Sequence, residues 1–227
     1  MGQTRRKRLS RSLSCLPLTL AVVAWVPGNG LKAAALLGCW AVLFGRLTRS
    51  EWLIFVAGCF FFTVMDMLAV RQHIFYFQHP TVLGLPAYEF LMWGFYLLHT
   101  WRVLDGTVPP VRHSAWILAA FYSVAFATIP DPSLLLAVTA VLLTVALSCF
   151  HEREDFLYVG YMVLLGALFE YTGVLSGQWA YPGHPLGGVP LWFITLWGGV
   201  GLFLRRLLLP VAQRMTQRTA SIAPDRK

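Results

Sequence analysis

The chain has 227 residues, of which 57% are hydrophobic, 15% aromatic and only 12% charged, and its mean hydropathy is +0.63. Soluble domains carry roughly 25% charged residues. This composition therefore excludes an ordinary soluble domain and points to an all-α integral membrane protein. The net charge of +8 comes largely from the ends: Arg5, Arg6, Lys7, Arg8 and Arg11 in front, and Arg205, Arg206, Arg214, Arg218, Arg226 and Lys227 behind. Basic flanks of this kind hold helix ends on the cytoplasmic side, and no nucleic-acid partner is expected.

Eight apolar segments follow in order, at about 14–27, 31–46, 52–71, 85–104, 114–129, 133–150, 155–175 and 188–209. A span needs roughly 20 apolar residues. Lipid leaves unpaired backbone groups no partner, so each segment is expected to be a helix. The first segment follows a basic start but ends in Pro27-Gly28-Asn29-Gly30 with no small-x-small site. It reads as an uncleaved helix.

Basic residues alternate from loop to loop. They flank the N-terminus, the loop with Arg46 and Arg49, the loop with Arg102 and Arg112, the loop His151-Glu152-Arg153, and the C-terminus. The positive-inside rule then puts both termini in the cytoplasm, with the protein in the bacterial inner (cell) membrane. The loops at Arg71–Leu83 and Leu175–Gly187 fall on the opposite face.

The second half repeats the first. An ungapped offset of 104 residues pairs Asp66 with Glu170, Val70 with Val174, Phe75 with Trp179 and Phe77 with Tyr181. It also pairs Gly84 with Gly188, Pro86 with Pro190, Tyr88 with Trp192, Trp93 with Trp197, Gly94 with Gly198 and Arg102 with Arg206. Four helices per half is an even number, so the two repeats are expected to run parallel about an axis along the membrane normal. The expected organisation is a basic tail (1–13), a first four-helix repeat (14–104), a linker (105–113), a second four-helix repeat (114–209) and a second tail (210–227). Gly84-Leu85-Pro86 and Gly188-Val189-Pro190 are expected to begin the fourth and eighth helices.

Three acids interrupt apolar helix sequence: Asp66, Glu89 and Glu170. Intramembrane carboxylates cost at least roughly 2.5–3.5 kcal/mol on insertion scales and are functional candidates by default. A helix-end acid can also snorkel to water or pair with a neighbour, and Arg71 is such a neighbour of Asp66. Glu89, Trp93 and Tyr96 share one helix face. Around the acids the sequence is aromatic, with Phe75, Phe77, Tyr88, Trp93, Trp179, Tyr181 and Trp192 as candidate substrate-binding residues. Such rings also form the interfacial belt of any membrane protein. Aromatic faces stabilise a desolvated cation by about 2 kcal/mol or more. An acid in an aromatic cage suits protonation of a carbon–carbon double bond. His73, His79, His99 and His184 make no ligand spacing, and Cys15, Cys39, Cys59 and Cys149 form no CxxC. Neither metal, cofactor nor disulfide is expected.

The first repeat resembles the membrane lycopene cyclase family, through Asp66, Arg71, Ile74-Phe75-Tyr76-Phe77 and Gly84-Leu85-Pro86-Ala87-Tyr88-Glu89-Phe90. The second is similar to the membrane carotenoid hydratases, through Glu170, Gly173-Val174, Gly177, Trp179-Ala180-Tyr181 and Gly188-Val189-Pro190-Leu191. The cyclases carry two adjacent acids after the proline. Here Tyr88 stands in the first place, and the second repeat has Trp192-Phe193. The resemblance implies a membrane enzyme acting on a long apolar isoprenoid, by cyclisation, isomerisation or hydration, more than it implies one reaction. Two other readings fit the residues: a proton-coupled transporter of a small solute or lipid, and a non-catalytic membrane subunit.

Overall fold

The structure is a computed structural model that describes residues 3–183 and 186–222. His184, Arg226 and Lys227 lie outside the described residues, as do the side chains of Arg5, Arg6, Lys7, Arg8 and Arg218. The described chain is helical apart from two short strands. The helices are α1 (Gln3–Trp25), α2 (Asn29–Phe44), α3 (Arg49–Arg71), α4 (Glu89–Leu104), α5 (His113–Thr128), α6 (Pro132–Cys149), α7 (Arg153–Leu175), α8 (Trp192–Phe203) and α9 (Leu209–Ile222). Strands β1 (Tyr76–Phe77) and β2 (Trp179–Ala180) pair with each other. Four helical stretches are long and apolar enough to cross a membrane: Arg49–Arg71, Pro132–Cys149, Arg153–Leu175 and Trp192–Gln217. The helices Leu9–Trp25, Asn29–Phe44 and His113–Thr128 are apolar but shorter.

Local chemistry sets the helix ends. Thr48 and Glu51 form a reciprocal capping box at the start of α3, and Glu152 and Asp155 form another at the start of α7. Each box satisfies two backbone donors that the first turn leaves open. Asp131 accepts from Leu134 N at 2.7 Å and Pro132 occupies the first turn, which starts α6. Two ends differ from expectation. The basic segment 1–13 is helical from Gln3, and 210–227 is helical as far as Ile222. Lys, Arg, Gln and Leu are all good helix formers, so a segment read by its charge as a tail continues the helix it flanks.

The 104-residue offset recurs in contacts. Glu51 and Asp155 are separated by it, as are Arg102 and Arg206. Arg102 Nε donates to Glu51 at 2.7 Å, and Arg206 Nε donates to Asp155 at 2.7 Å. Both pairs are buried. An aromatic ring backs each guanidinium, Phe44 at 4.8 Å and Phe150 at 5.1 Å. The turns after α3 and α7 match as well. Ile74 N donates to Ala69 O at 3.0 Å and Gln178 N donates to Gly173 O at 2.8 Å. In the left-handed position of each turn stand His73 (φ 58°) and Gly177 (φ 69°). Gly84 and Gly188 also adopt positive φ, 82° and 90°. A Cβ there would approach Val70 at 3.1 Å and Val174 at 2.9 Å, themselves equivalent residues.

The Gly-x-Pro segments do not begin α4 and α8. Those helices start at Glu89 and Trp192. Gly84 and Gly188 turn the chain inward, Leu85-Pro86 and Val189-Pro190 are buried, and Glu89 N and Phe193 N each hydrogen-bond the proline carbonyl before the helix proper.

Packing crosses between the halves. Helix α3 lies against α4 and α7 against α8, while α4 and α7 meet each other. Helix α1 touches both α4 and α7, and α5 touches both α8 and α3, as a twofold relation requires. In the β1–β2 pair, Tyr76 sits opposite Ala180, its own repeat equivalent. An antiparallel register of this kind places a local twofold axis between the two residues. Between α8 and α9, Leu204–Leu208 forms a π turn. Helix α9 then packs on α3, with Ser50 Oγ and Thr216 Oγ1 2.9 Å apart.

Candidate active site

Asp66 lies near the end of α3, Glu170 near the end of α7 and Glu89 at the start of α4. All three line one cavity of about 50 Å³. Nine aromatic residues border it: Phe75, Phe77, Trp93, Tyr96 and Phe169, with Trp179, Tyr181, Trp192 and Trp197. Leu196 completes the wall. The volume is several times what one water needs (about 10–15 Å³). It is far below the roughly 300–1,000 Å³ of typical ligand pockets.

The acids differ in their partners. Trp93 Nε1 donates to Asp66 Oδ2 at 2.8 Å, and Trp197 Nε1 donates to Glu170 Oε1 at 3.1 Å. These are repeat-equivalent bonds, and the two indoles stack with centroids 5.0 Å apart. Glu170 takes two more bonds, on Oε2, from Trp179 Nε1 at 3.0 Å and Tyr181 OH at 2.6 Å. Three donors saturate most of a carboxylate, which only accepts. Among the described residues none donates to the Glu89 carboxyl, although the residue is only 8% exposed. Arg71 is exposed, and Asp66 turns to Trp93.

The ribbon supplies one wall. Successive strand residues point to opposite faces. Phe75 and Phe77 are buried and Tyr76 is exposed; Trp179 and Tyr181 are buried and Ala180 less so. Across the axis, Phe75 meets Tyr181 at 5.7 Å and Phe77 meets Trp179 at 6.0 Å, two contacts that the twofold interchanges. Helix α7 makes room for the indoles with glycine. Trp179 lies over Gly173 and Trp197 over Gly166.

Of the candidates named from sequence, the cavity gathers Asp66, Glu89, Glu170, Phe75, Phe77, Trp93, Trp179, Tyr181 and Trp192. Tyr88 is buried but does not line it. Its ring instead carries Lys32 Nζ, 5.1 Å from the centroid, and Lys32 also hydrogen-bonds Gln178 Oε1. Beyond those candidates the cavity also takes Tyr96, Phe169, Leu196 and Trp197. Tyr96 and Trp197 were accessible from helix periodicity and the repeat, and nothing in the local sequence distinguishes Phe169 or Leu196. Among the described residues no group of three or more His, Cys, Asp or Glu is arranged to hold a metal ion. His99 is buried on α4, with Nε2 2.7 Å from Tyr161 OH.

No family model matches the chain, and no curated protein matches it significantly. Its fold is similar to that of a cross-linked MvINS trimer solved by crystallography, with a TM-score of 0.61 and 17% identity, over 74% of this chain and 95% of that one. At that identity the likeness is one of fold alone.

Proposed function

We propose that the protein is a membrane enzyme of isoprenoid or carotenoid metabolism that protonates a carbon–carbon double bond with an intramembrane carboxylic acid. In this reading eight helices span the membrane, both termini are cytoplasmic, and the cavity lies toward the opposite face. One observation carries the reading: three carboxyls from three helices converge on a single cavity walled by aromatic rings.

Glu89 is the proton donor, because its carboxyl faces the cavity without a protein hydrogen bond. The π electrons of the double bond take that proton and form a C–H bond. The neighbouring carbon becomes cationic, and the faces of the surrounding rings stabilise it. The Asp66 or Glu170 carboxylate then removes a proton from an adjacent carbon, restoring a double bond. If a second double bond of the chain attacks the cation first, a ring forms. Neither course needs a redox cofactor. The acid pair and the alkene exchange protons only, so atoms and charge balance.

The test is turnover of lycopene by membranes containing the wild type and the Glu89→Gln, Asp66→Asn and Glu170→Gln variants. Wild-type membranes are expected to yield an isomerised or cyclised product, and Glu89→Gln membranes none. Turnover retained in all three variants removes the acid mechanism. The small volume of the cavity favours a second reading, proton-coupled transport through the repeat axis. Uptake into proteoliposomes that depends on a proton gradient would select it.

A further inference from the structure

We infer that β1 and β2 are the two leaves of a lid over the acid cavity, that they part to admit a ligand, and that their closure positions the Glu170 carboxylate. The inference rests on the cavity being the binding site and not on the reaction carried out there.

Phe75, Phe77, Trp179 and Tyr181 all face the cavity and all come from the ribbon. The closed space of about 50 Å³ admits no sizeable molecule, so entry requires part of the wall to move. The ribbon is the part least held. Each leaf is two residues long, and an isolated two-stranded pairing is marginal on its own. Each leaf also leaves its helix through a left-handed turn residue, His73 or Gly177. The flanking wall is different: Trp93, Tyr96, Phe169 and Trp197 sit inside α4, α7 and α8.

Parting has a chemical consequence. Trp179 and Tyr181 ride on the second leaf and supply both hydrogen bonds to Glu170 Oε2. When that leaf lifts, Glu170 keeps only the bond from Trp197. Trp179 and Tyr181 are therefore positioning residues, and access to the cavity is coupled to the state of Glu170.

Tyr76 and Ala180 face each other across the seam, outside the cavity. Opposed antiparallel residues have Cα atoms about 4.5–5.5 Å apart, within disulfide range. The experiment is Tyr76→Cys with Ala180→Cys, in a Cys149→Ser background that removes the exposed native thiol. The protein in liposomes is treated with dicyclohexylcarbodiimide, an apolar carboxyl reagent too large for the closed cavity. Modification of Asp66, Glu89 and Glu170 is read by peptide mass spectrometry. Labelling is expected in the reduced form, to fall to background when the disulfide forms, and to return on reduction. The reduced form controls for folding. Equal labelling of both forms, or labelling of neither, overturns the lid. Failure of lycopene turnover leaves this readout intact, so the two proposals fail separately.

Discussion

Trp93 and Trp197 stack on each other across the junction of the two halves, 5.0 Å between centroids, and each donates its indole N–H to the acid of its own repeat. The contact joins the acids through their donors. It also makes the halves unequal, since Glu170 has two further donors, Trp179 and Tyr181. Double-mutant cycles measure that difference. Coupling of Trp93→Phe with Asp66→Asn should fall within about 0.5–3 kcal/mol, the range for residues in direct contact. Coupling of Trp197→Phe with Glu170→Gln should be smaller, because two donors remain. Unfolding in detergent reads both, and a larger second coupling contradicts the assignment.

The buried ion pairs offer a second asymmetry. Arg102 binds Glu51, whereas Asp155 is held by Arg206 and also by Arg205 Nη1 at 2.6 Å. Removing one partner of a buried pair costs about 3–5 kcal/mol. Arg102→Met should therefore lower the unfolding temperature more than Arg206→Met, for which Arg205 compensates. Combining Glu51→Leu with Arg102→Met should cost less than Arg102→Met alone, because no buried charge is then stranded.

Two glycines of α7 should respond in opposite directions. A Cβ at Gly173 would lie 2.0 Å from the Trp179 ring, while at Gly160 it would meet nothing within 4 Å. Gly173→Ala must displace the indole from Glu170, at a cost of about 1–3 kcal/mol typical of overpacking. Gly160→Ala should stabilise by roughly 0.5–1 kcal/mol, through the backbone freedom it removes. Thermal unfolding and tryptophan fluorescence distinguish them, since only the first should alter the indole environment.

Stability should also depend on pH at the mouth of α7. Hydrogen bonds from Arg205, and then Arg206, hold the Glu152 carboxyl below the usual glutamate range. A carboxyl lowered in the folded state contributes stability above its unfolded value and loses it as pH falls through the folded one. Unfolding temperature should thus decline as pH drops below about 4.3. Glu152→Gln should decline less. Glu152 is exposed, so the difference is small, and a steeper decline in the variant would contradict it.

Much of the site could be read in the sequence because the repeat keeps the residues that make its polar contacts. Asp66, Glu170, Trp93 and Trp197 stand at one offset and make one kind of bond. The same offset relates Glu51 to Asp155, but charge at a helix end reads as a membrane flank, and a bond across fifty residues leaves no local mark. The ribbon was hidden for a different reason. Two-residue strands are too short to show an alternating pattern. Tyr88 was misplaced because its neighbour Glu89 does face the cavity, and consecutive helical residues do not share a face. The Gly-x-Pro segments looked like helix starts because proline favours that position. Here the chain turns inward first, and the helix waits for Glu89 and Trp192.

The π turn at Leu204–Leu208 sets a constraint of another kind. Such a turn carries one residue more than the α-helix around it. Deleting any one residue from it would restore even winding and rotate everything beyond by about 100°, at 3.6 residues per turn. Leu209 and Ala212, now buried, would swing away from the first half, and Thr216 would leave Ser50. The last helix is thus clocked by the count of residues in this stretch, so length there is under tighter control than side-chain identity.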